Sequence, residues 1–342
     1  MKIIVTANHV PFMGGGAQYH VDNLVAQLRS RGHEVARVRF PFDAASPAAL
    51  HALMEHCEQS DFQQLNGICV DKVISLQYPG YGVQHPDHSV WVMHQHRTAY
   101  ELYQPDTASP AEQALKAQIT DYDNRVLSRP RQLFANSARV AQRLQEYNGL
   151  VAEPLYHPPD GAERFFCADS QGYIFFPSRL ENLKRQALLI EAARHLRTPA
   201  KILLGGSGPQ AARYQQLIEQ YQLQDRVCLL GRFSEAEKLT CYAHALGVFF
   251  GPYDEDYGYI TLEAMLSAKP VITCTDSGGP LEFVQQGENG FVVAPEPEQI
   301  AEKIDWLYQN PQRAAQMGRV GQRSYQQHSI SWDNVISRLL AD

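Results

Sequence analysis

Two carboxylates eight positions apart, Glu255 and Glu263, flank Gly258 where an extended loop gives way to helical spacing. The preceding Phe249-Phe250-Gly251-Pro252 reads as the end of a buried strand. Gly258 breaks the extended run, and residues 259–268 can then wind as a helix. Its first amides lack intrahelical partners and attract anions, so Gly258, Tyr259, Ile260 and Thr261 form a candidate phosphate seat. Glu255 lies before the helix and Glu263 about a turn inside it, so the two acids can reach different ends of one elongated ligand. The alternative is an acid-rich helix start that only complements the helix dipole. Near the N-terminus, Pro11-Phe12-Met13-Gly14-Gly15-Gly16 follows a first strand and leaves room for a ligand to approach the backbone, unless it is a plain tight turn. His94 and His96 stand at another strand end, on one strand face. His85 and His88 precede that strand and no acid sits beside the pair, so no metal site is expected.

These residues need a scaffold, and the hydrophobic pattern supplies one. Apolar runs predict strands over 2–7, 34–40, 72–76, 90–93, 133–135 and 154–156, alternating with helices over 17–31, 45–54, 111–128 and 138–147. A Pro-rich break at 156–161 reads as a linker. Beyond it, strands are expected over 173–177, 201–205, 227–230, 247–250, 271–273 and 291–293, with helices over 186–195, 211–221, 235–245 and 262–267. Strands that are apolar throughout indicate parallel sheets covered on both faces, with ligand sites at the carboxyl ends of the strands.

The opening stretch resembles the Glu-x7-Glu motif of the retaining glycosyltransferases of family 4. Pro252, Glu255, Gly258, Glu263, Ala264, Met265, Pro270 and Val271 fit that pattern, followed by Ser277-Gly278-Gly279 and Gly287-Glu288-Asn289-Gly290. The resemblance runs over almost the whole chain. It implies the α/β GT-B fold, two doubly wound Rossmann-like domains facing a cleft: 1–160 on the acceptor side, 161–330 for the nucleotide-sugar donor, and 331–342 as a helix crossing back to the first domain. It also implies that Glu263 binds the ribose hydroxyls, that Glu255 lies near the hydroxyls of the transferred sugar, and that the backbone from Gly258 to Thr261 holds the diphosphate. Gly15 and Gly16 would face the diphosphate and the acceptor, and His94, with His96 second, would lie near the donor sugar.

Ser178-Arg179-Leu180-Glu181-Asn182-Leu183-Lys184-Arg185 carries the family's Arg-x4-Lys pattern. A departing nucleoside diphosphate gains negative charge, and without a metal that charge needs fixed cations, here Arg179 and Lys184. The alternative is a solvated helix start, and Arg185 reads as a surface residue. Gly206-x-Gly208-Pro209 resembles the family's turn near the nucleotide. With Ala211 it also superficially fits a dinucleotide fingerprint, which raises an NAD-dependent oxidoreductase as a rival. Pro209 interrupts that fingerprint, and Leu230-Gly231-Arg232 fills the place of its ribose-binding acid. Asn136-Ser137 also matches a family pattern, although a helix cap by Ser137 explains it fully.

Composition sets the frame. The 342 residues suit two domains, and a net charge of −7, with 13 Lys/Arg against 16 Asp/Glu in the first 160 residues, recommends neither nucleic acid nor anionic lipid as a partner. Peripheral membrane contact therefore lacks support from charge. Six scattered cysteines without a Cys-x-x-Cys pair fit a reducing compartment. The start at Met1-Lys2-Ile3 reads as a strand and not as a signal segment, and no run of eighteen apolar residues follows, so a cytoplasmic location is expected. The resulting expectation is a retaining glycosyltransferase of the hexosyltransferase type (EC 2.4) that needs no cofactor or metal. It would use a nucleotide-sugar donor and a glycan, lipid-linked glycan or small-molecule acceptor. A nucleotide-sugar binding protein without transfer activity is the other alternative.

Overall fold

The computed structural model describes residues 1–10 and 15–341, and its chain divides into two compact units. The first comprises residues 1–157 together with the chain from Ser331 onward; the second is Pro158–Ile330.

In the first unit the chain runs β1 (Lys2–His9), α1 (Gly16–Ser30), β2 (Glu34–Pro41), α2 (Pro47–Gln59), a hairpin of β3 (Gln64–Leu65) and β4 (Ile68–Cys69), then β5 (Lys72–Ser75) and β6 (His88–Val92). It continues through α3 (Pro110–Val126), β7 (Gln132–Ala135), α4 (Ala138–Asn148) and β8 (Glu153–Pro154). The main sheet is parallel, in the order β2-β1-β5-β6-β7-β8. The hairpin had no counterpart among the expected elements, and α2 begins later than expected because Ser46 caps it, accepting from the Ala49 amide, with Pro47 next; it also runs further, to Gln59.

In the second unit the elements are β9 (Tyr173–Pro177), α5 (Gln186–Ala192), β10 (Lys201–Gly205), α6 (Ala211–Gln220), β11 (Val227–Gly231), α7 (Glu235–His244), β12 (Gly247–Phe249) and α8 (Tyr259–Leu266). After these come β13 (Val271–Cys274), β14 (Gly290–Val293), α9 (Pro297–Gln309) and α10 (Pro311–Gln327). The sheet order β11-β10-β9-β12-β13-β14 is the doubly wound order, parallel throughout, with its reversal between β9 and β12. Crossovers on both sides cover both faces, which is why β9 and β12 are buried at every residue. Among the described residues no helix is long and apolar enough to cross a membrane.

The last helix, α11 (Trp332–Leu339), belongs to the first unit. Val335, Ile336 and Leu339 join the core formed by Val5, Val21, Leu24, Trp91 and Phe134. Arg31 pairs with Asp333, and Arg338 with Glu153.

Beneath α11 lies a buried aromatic group. His20 stacks on His157 at 3.9 Å and meets Trp91 edge-on at 4.2 Å. Burial drives His20 down to about 3 and His157 well below the ordinary range; His88, whose ring bonds the Ser75 hydroxyl, also falls to about 3. The same unit buries Asp123, which accepts from Tyr81, Tyr100 and Gln95 and is pushed up to about 6 by desolvation. The two kinds of group oppose each other in acid. A histidine that stays neutral when folded but protonates when unfolded loses stability as pH falls from about 6.5. Asp123 takes its proton earlier in the folded state, so its contribution grows as pH falls through 6 and is lost again as pH rises. Near pH 4.5 each histidine has lost about 2–3 kcal/mol and Asp123 has returned about 2, so the three histidines dominate. Calorimetric scans should therefore show the first unit melting much earlier at pH 4.5 than at pH 7, and His20→Phe should make that decline shallower. An unchanged acid slope in the variant would contradict this balance.

Candidate functional site

The reversal of strand order sets the loops after β9 and β12 side by side, and these loops carry Arg179, Lys184 and Glu255. The loop after β12 is held by backbone first. Gly251 has no room for a side chain, because a Cβ would meet the Phe249 ring at 2.6 Å and Cys274 Sγ at 2.7 Å. The Asp254 and Glu255 amides donate to the carbonyls of Asp276 and Ser277 at 2.9 Å, and the Gly279 amide returns a bond to the Glu255 carbonyl at 2.8 Å. At Gly278, with φ of 71°, a Cβ would lie 2.5 Å from that same carbonyl oxygen. The Ser277-Gly278-Gly279 run is thus a close backbone crossing.

Side chains then lock the two loops together. Lys184 Nζ sits 2.7 and 2.6 Å from the two oxygens of Glu255. Arg185, at φ 57°, turns inward: its guanidinium donates to the carbonyls of Gly251 (2.8 Å) and Pro252 (2.7 Å) and bidentately to Asp276 (2.9 and 2.6 Å). This corrects the expectation of a surface Arg185. A sequence pattern shows the charge but not the left-handed backbone that redirects it.

Gly258, with φ of 86°, precedes α8, whose first turn holds no acidic residue and has no side-chain cap. Within that turn the Thr261 amide donates back to the Gly258 carbonyl at 3.0 Å, and the amides before it precede the helix's own ladder. Thr261 is fully buried, and its hydroxyl has no hydrogen-bond partner among the described residues. Ile260 packs in the core of the unit, and Tyr259 meets Tyr257 edge-on at 5.2 Å. Further along α8, Glu263 is buried at 8% exposure; Tyr242 Oη donates to Oε2 at 2.6 Å and Lys238 Nζ lies 3.3 Å from Oε1. Burial raises the Glu263 carboxyl above its ordinary range, while Lys238 and Tyr242 draw it back. Neither partner was read from the sequence, although Lys238 and Tyr242 share one face of α7 at helical spacing.

Arg179 is 52% exposed and pairs with Glu181 at 2.5 Å. Its loop is shaped by the turn after β10. A Cβ on Gly206 would lie 2.1 Å from the Ser178 carbonyl, and one on Gly208 would lie 2.4 Å from that of Leu180. These glycines therefore admit neighbouring backbone, which accounts for them without a dinucleotide, and the oxidoreductase reading gains no support.

The remaining candidates belong to the first unit. Pro11, Phe12, Met13 and Gly14 lie outside the described residues. Among the described residues nothing lies within 4 Å of where a Gly15 Cβ would stand; the Gly15 carbonyl accepts from the Gln18 and Tyr19 amides, and Gly16 opens α1. His94 and His96 do not share a strand face, because β6 ends at Val92, and it is His88 that lies within that strand. His94 Nδ1 contacts the Gln95 carbonyl at 2.8 Å; His96 packs edge-on against Tyr78 at 5.3 Å, and burial lowers its pKa. The Gln95 side chain ties this turn to Asn148 at 2.7 Å and to Asp123. Ser137 caps α4 through the Val140 amide. Among the described residues no three His, Cys, Asp or Glu side chains are grouped to hold a metal ion.

Residues 164–324 match the family model described as glycosyl transferases group 1. Among curated proteins, human alpha-1,3/1,6-mannosyltransferase ALG2 is 34% identical over 111 residues, which is 32% of this chain and 26% of that protein. The putative glycosyltransferase EpsD of Bacillus subtilis is 27% identical over 197 residues, 54% of this chain and 51% of its own. The chain thus spans about a quarter to a half of the length of these relatives. Of solved structures, sucrose-phosphate synthase from Thermosynechococcus elongatus aligns with a TM-score of 0.80 at 16% identity, covering 99% of this chain and 97% of that one. Anabaena HepE in complex with UDP and glucose aligns at 0.73 and 18%, covering both chains completely. These likenesses define the fold as GT-B, built here from two Rossmann-like units.

The geometry makes Arg185 a test of the loop crossing. Arg185→Met removes four hydrogen bonds and should cost the second unit about 2–4 kcal/mol, read as a lower melting temperature. Arg185→Lys should not restore it, since a point charge cannot replace the planar fork. Full stability in the lysine variant would show that charge alone suffices.

Proposed function

We propose that the protein is a retaining glycosyltransferase of family 4 type, moving a hexosyl group from a nucleoside-diphosphate sugar to an acceptor hydroxyl. The observation that carries this reading is the pairing of Lys184 with Glu255 in the loop that leads into the uncapped start of α8. In this reading Lys184 stands between the sugar, addressed by Glu255, and the diphosphate, received by the amides from Gly258 to Thr261. Arg179, the exposed member of its pair, exchanges Glu181 for the diphosphate, and Glu263 takes the ribose hydroxyls. The bond from anomeric carbon to phosphate oxygen breaks with its electron pair leaving on the diphosphate. The acceptor oxygen then attacks from the same face through an oxocarbenium-like state, and its proton passes to the departing diphosphate oxygen as the new bond forms. The first unit serves the acceptor, a glycan, lipid-linked glycan or small molecule; Gly15 and Gly16 face the diphosphate and the acceptor, and His94 addresses the donor sugar. No metal or other cofactor enters these steps, and the site of action is the cytoplasm. Support comes from the match over residues 164–324 and from the HepE complex with UDP and glucose.

A panel of nucleotide sugars screened for thermal stabilisation identifies the donor, because a ligand bound only by the folded state raises the melting temperature with concentration. With that donor, Glu263→Ala should lose about 1–3 kcal/mol of affinity for the free nucleoside diphosphate, since ribose hydroxyls are left unpaired. Glu255→Ala should bind the diphosphate nearly as wild type yet transfer sugar poorly. Equal calorimetric losses in the two variants would dissolve the distinction between a ribose acid and a sugar acid.

A further inference from the structure

The two partners of Glu263 come from α7, outside the Glu255–Glu263 stretch, and they differ in kind. Tyr242 is fully buried and its hydroxyl donates to Glu263 Oε2 at 2.6 Å. A hydroxyl can also accept from a protonated acid, so this contact tolerates either state of the carboxyl group. Lys238 is a cation without acceptor capacity, and it favours only the anion. Its side chain is 14% exposed, its Nζ lies 3.3 Å from Glu263 Oε1 and 3.1 Å from Glu235 Oε2, and Phe165 offers its ring face at 5.6 Å.

We propose that Lys238 is a positioning residue that holds Glu263 as an anion, with acceptor oxygens turned to the vicinal diol of a nucleotide ribose. The inference rests on the donor site proposed above. A carboxylate gripping a diol must accept from both hydroxyls, and a protonated carboxyl presents a donor where an acceptor is needed. Glu263 is at risk of that change, because burial favours its neutral form. The other ionisable groups facing it do not help: Glu235 on α7 is a like charge, and Tyr259 on α8 is kept neutral by burial. Lys238 is the one cation among the groups that shift this carboxyl, and it offsets the desolvation together with the hydrogen bond from Tyr242. The 3.3 Å separation is long for a charge-assisted bond, so Oε1 is steadied by charge and keeps acceptor capacity for a ligand.

Calorimetric titration with UDP, GDP and ADP, each from pH 5.5 to 8, tests this on wild type, Lys238→Met and Lys238→Arg. The methionine variant keeps an apolar stem against Phe165, and Lys238→Gln serves in its place if its melting temperature falls. The terminal phosphate of the ligand itself titrates near pH 6, so the readout is variant affinity relative to wild type at each pH. Relative to wild type, the neutral variant should weaken about 10-fold toward pH 5.5 and match it toward pH 8. Its binding at pH 6 should also release more protons than that of wild type, detected by comparing buffers of different ionisation enthalpy, and Lys238→Arg should restore the wild-type profile. A neutral variant that matches wild type throughout, or that loses the same factor at every pH, would overturn the proposal and leave Lys238 a packing residue. Failure of all three diphosphates to bind wild type would instead sink the donor site itself.

Discussion

The crossing of two loops at the reversal of strand order is the constraint on which the second unit's site depends. Parallel strands end with their carbonyls pointing into loops that carry no ladder of their own, so those groups need partners from elsewhere. Arg185 supplies them for Gly251 and Pro252, and Asp276 balances its charge. Once that fork is in place, Glu255 has one course through the loop, between the Ser277 carbonyl and the Gly279 amide. Lys184, one residue before the fork, then meets Glu255 squarely. The positions of the candidate acid and cation thus follow from backbone saturation as much as from their own attraction.

That dependence explains what the sequence disclosed and what it hid. Strands buried on both faces, such as Tyr173–Pro177, stand out as apolar runs, and local caps such as Ser137 are visible because partner and donor are three residues apart. Asn66-Gly67 is an equally local turn signal for the small hairpin, but the two-residue strands it joins carry no apolar run of their own. Arg185 reads as a surface residue from sequence because its role arises from a left-handed φ and from carbonyls more than sixty residues away. Gly206 and Gly208 invited a ligand reading for a related reason. Glycine reports that something approaches closely, and only the fold reveals that Ser178 and Leu180 do so.

The two units manage buried charge in different ways. In the second, Glu263 is matched by Lys238 across helices, so a carboxylate stays useful to a ligand at little exposure. In the first, Asp123 has three neutral donors, and Gln95 passes that anchoring on to the turn bearing His94 and His96. His20, His88 and His157 remain neutral chiefly through burial, which ties the unit's stability to pH far more than any surface ion pair would.

The central claim is that the second unit recognises a nucleoside diphosphate with fixed cations and backbone amides, and without a metal ion. Calorimetry of the wild-type protein with UDP, GDP and ADP in excess EDTA addresses it most directly. The account predicts that one of the three binds at a single site with an affinity unchanged by the chelator. Binding that vanishes in EDTA and returns with magnesium or manganese would contradict it.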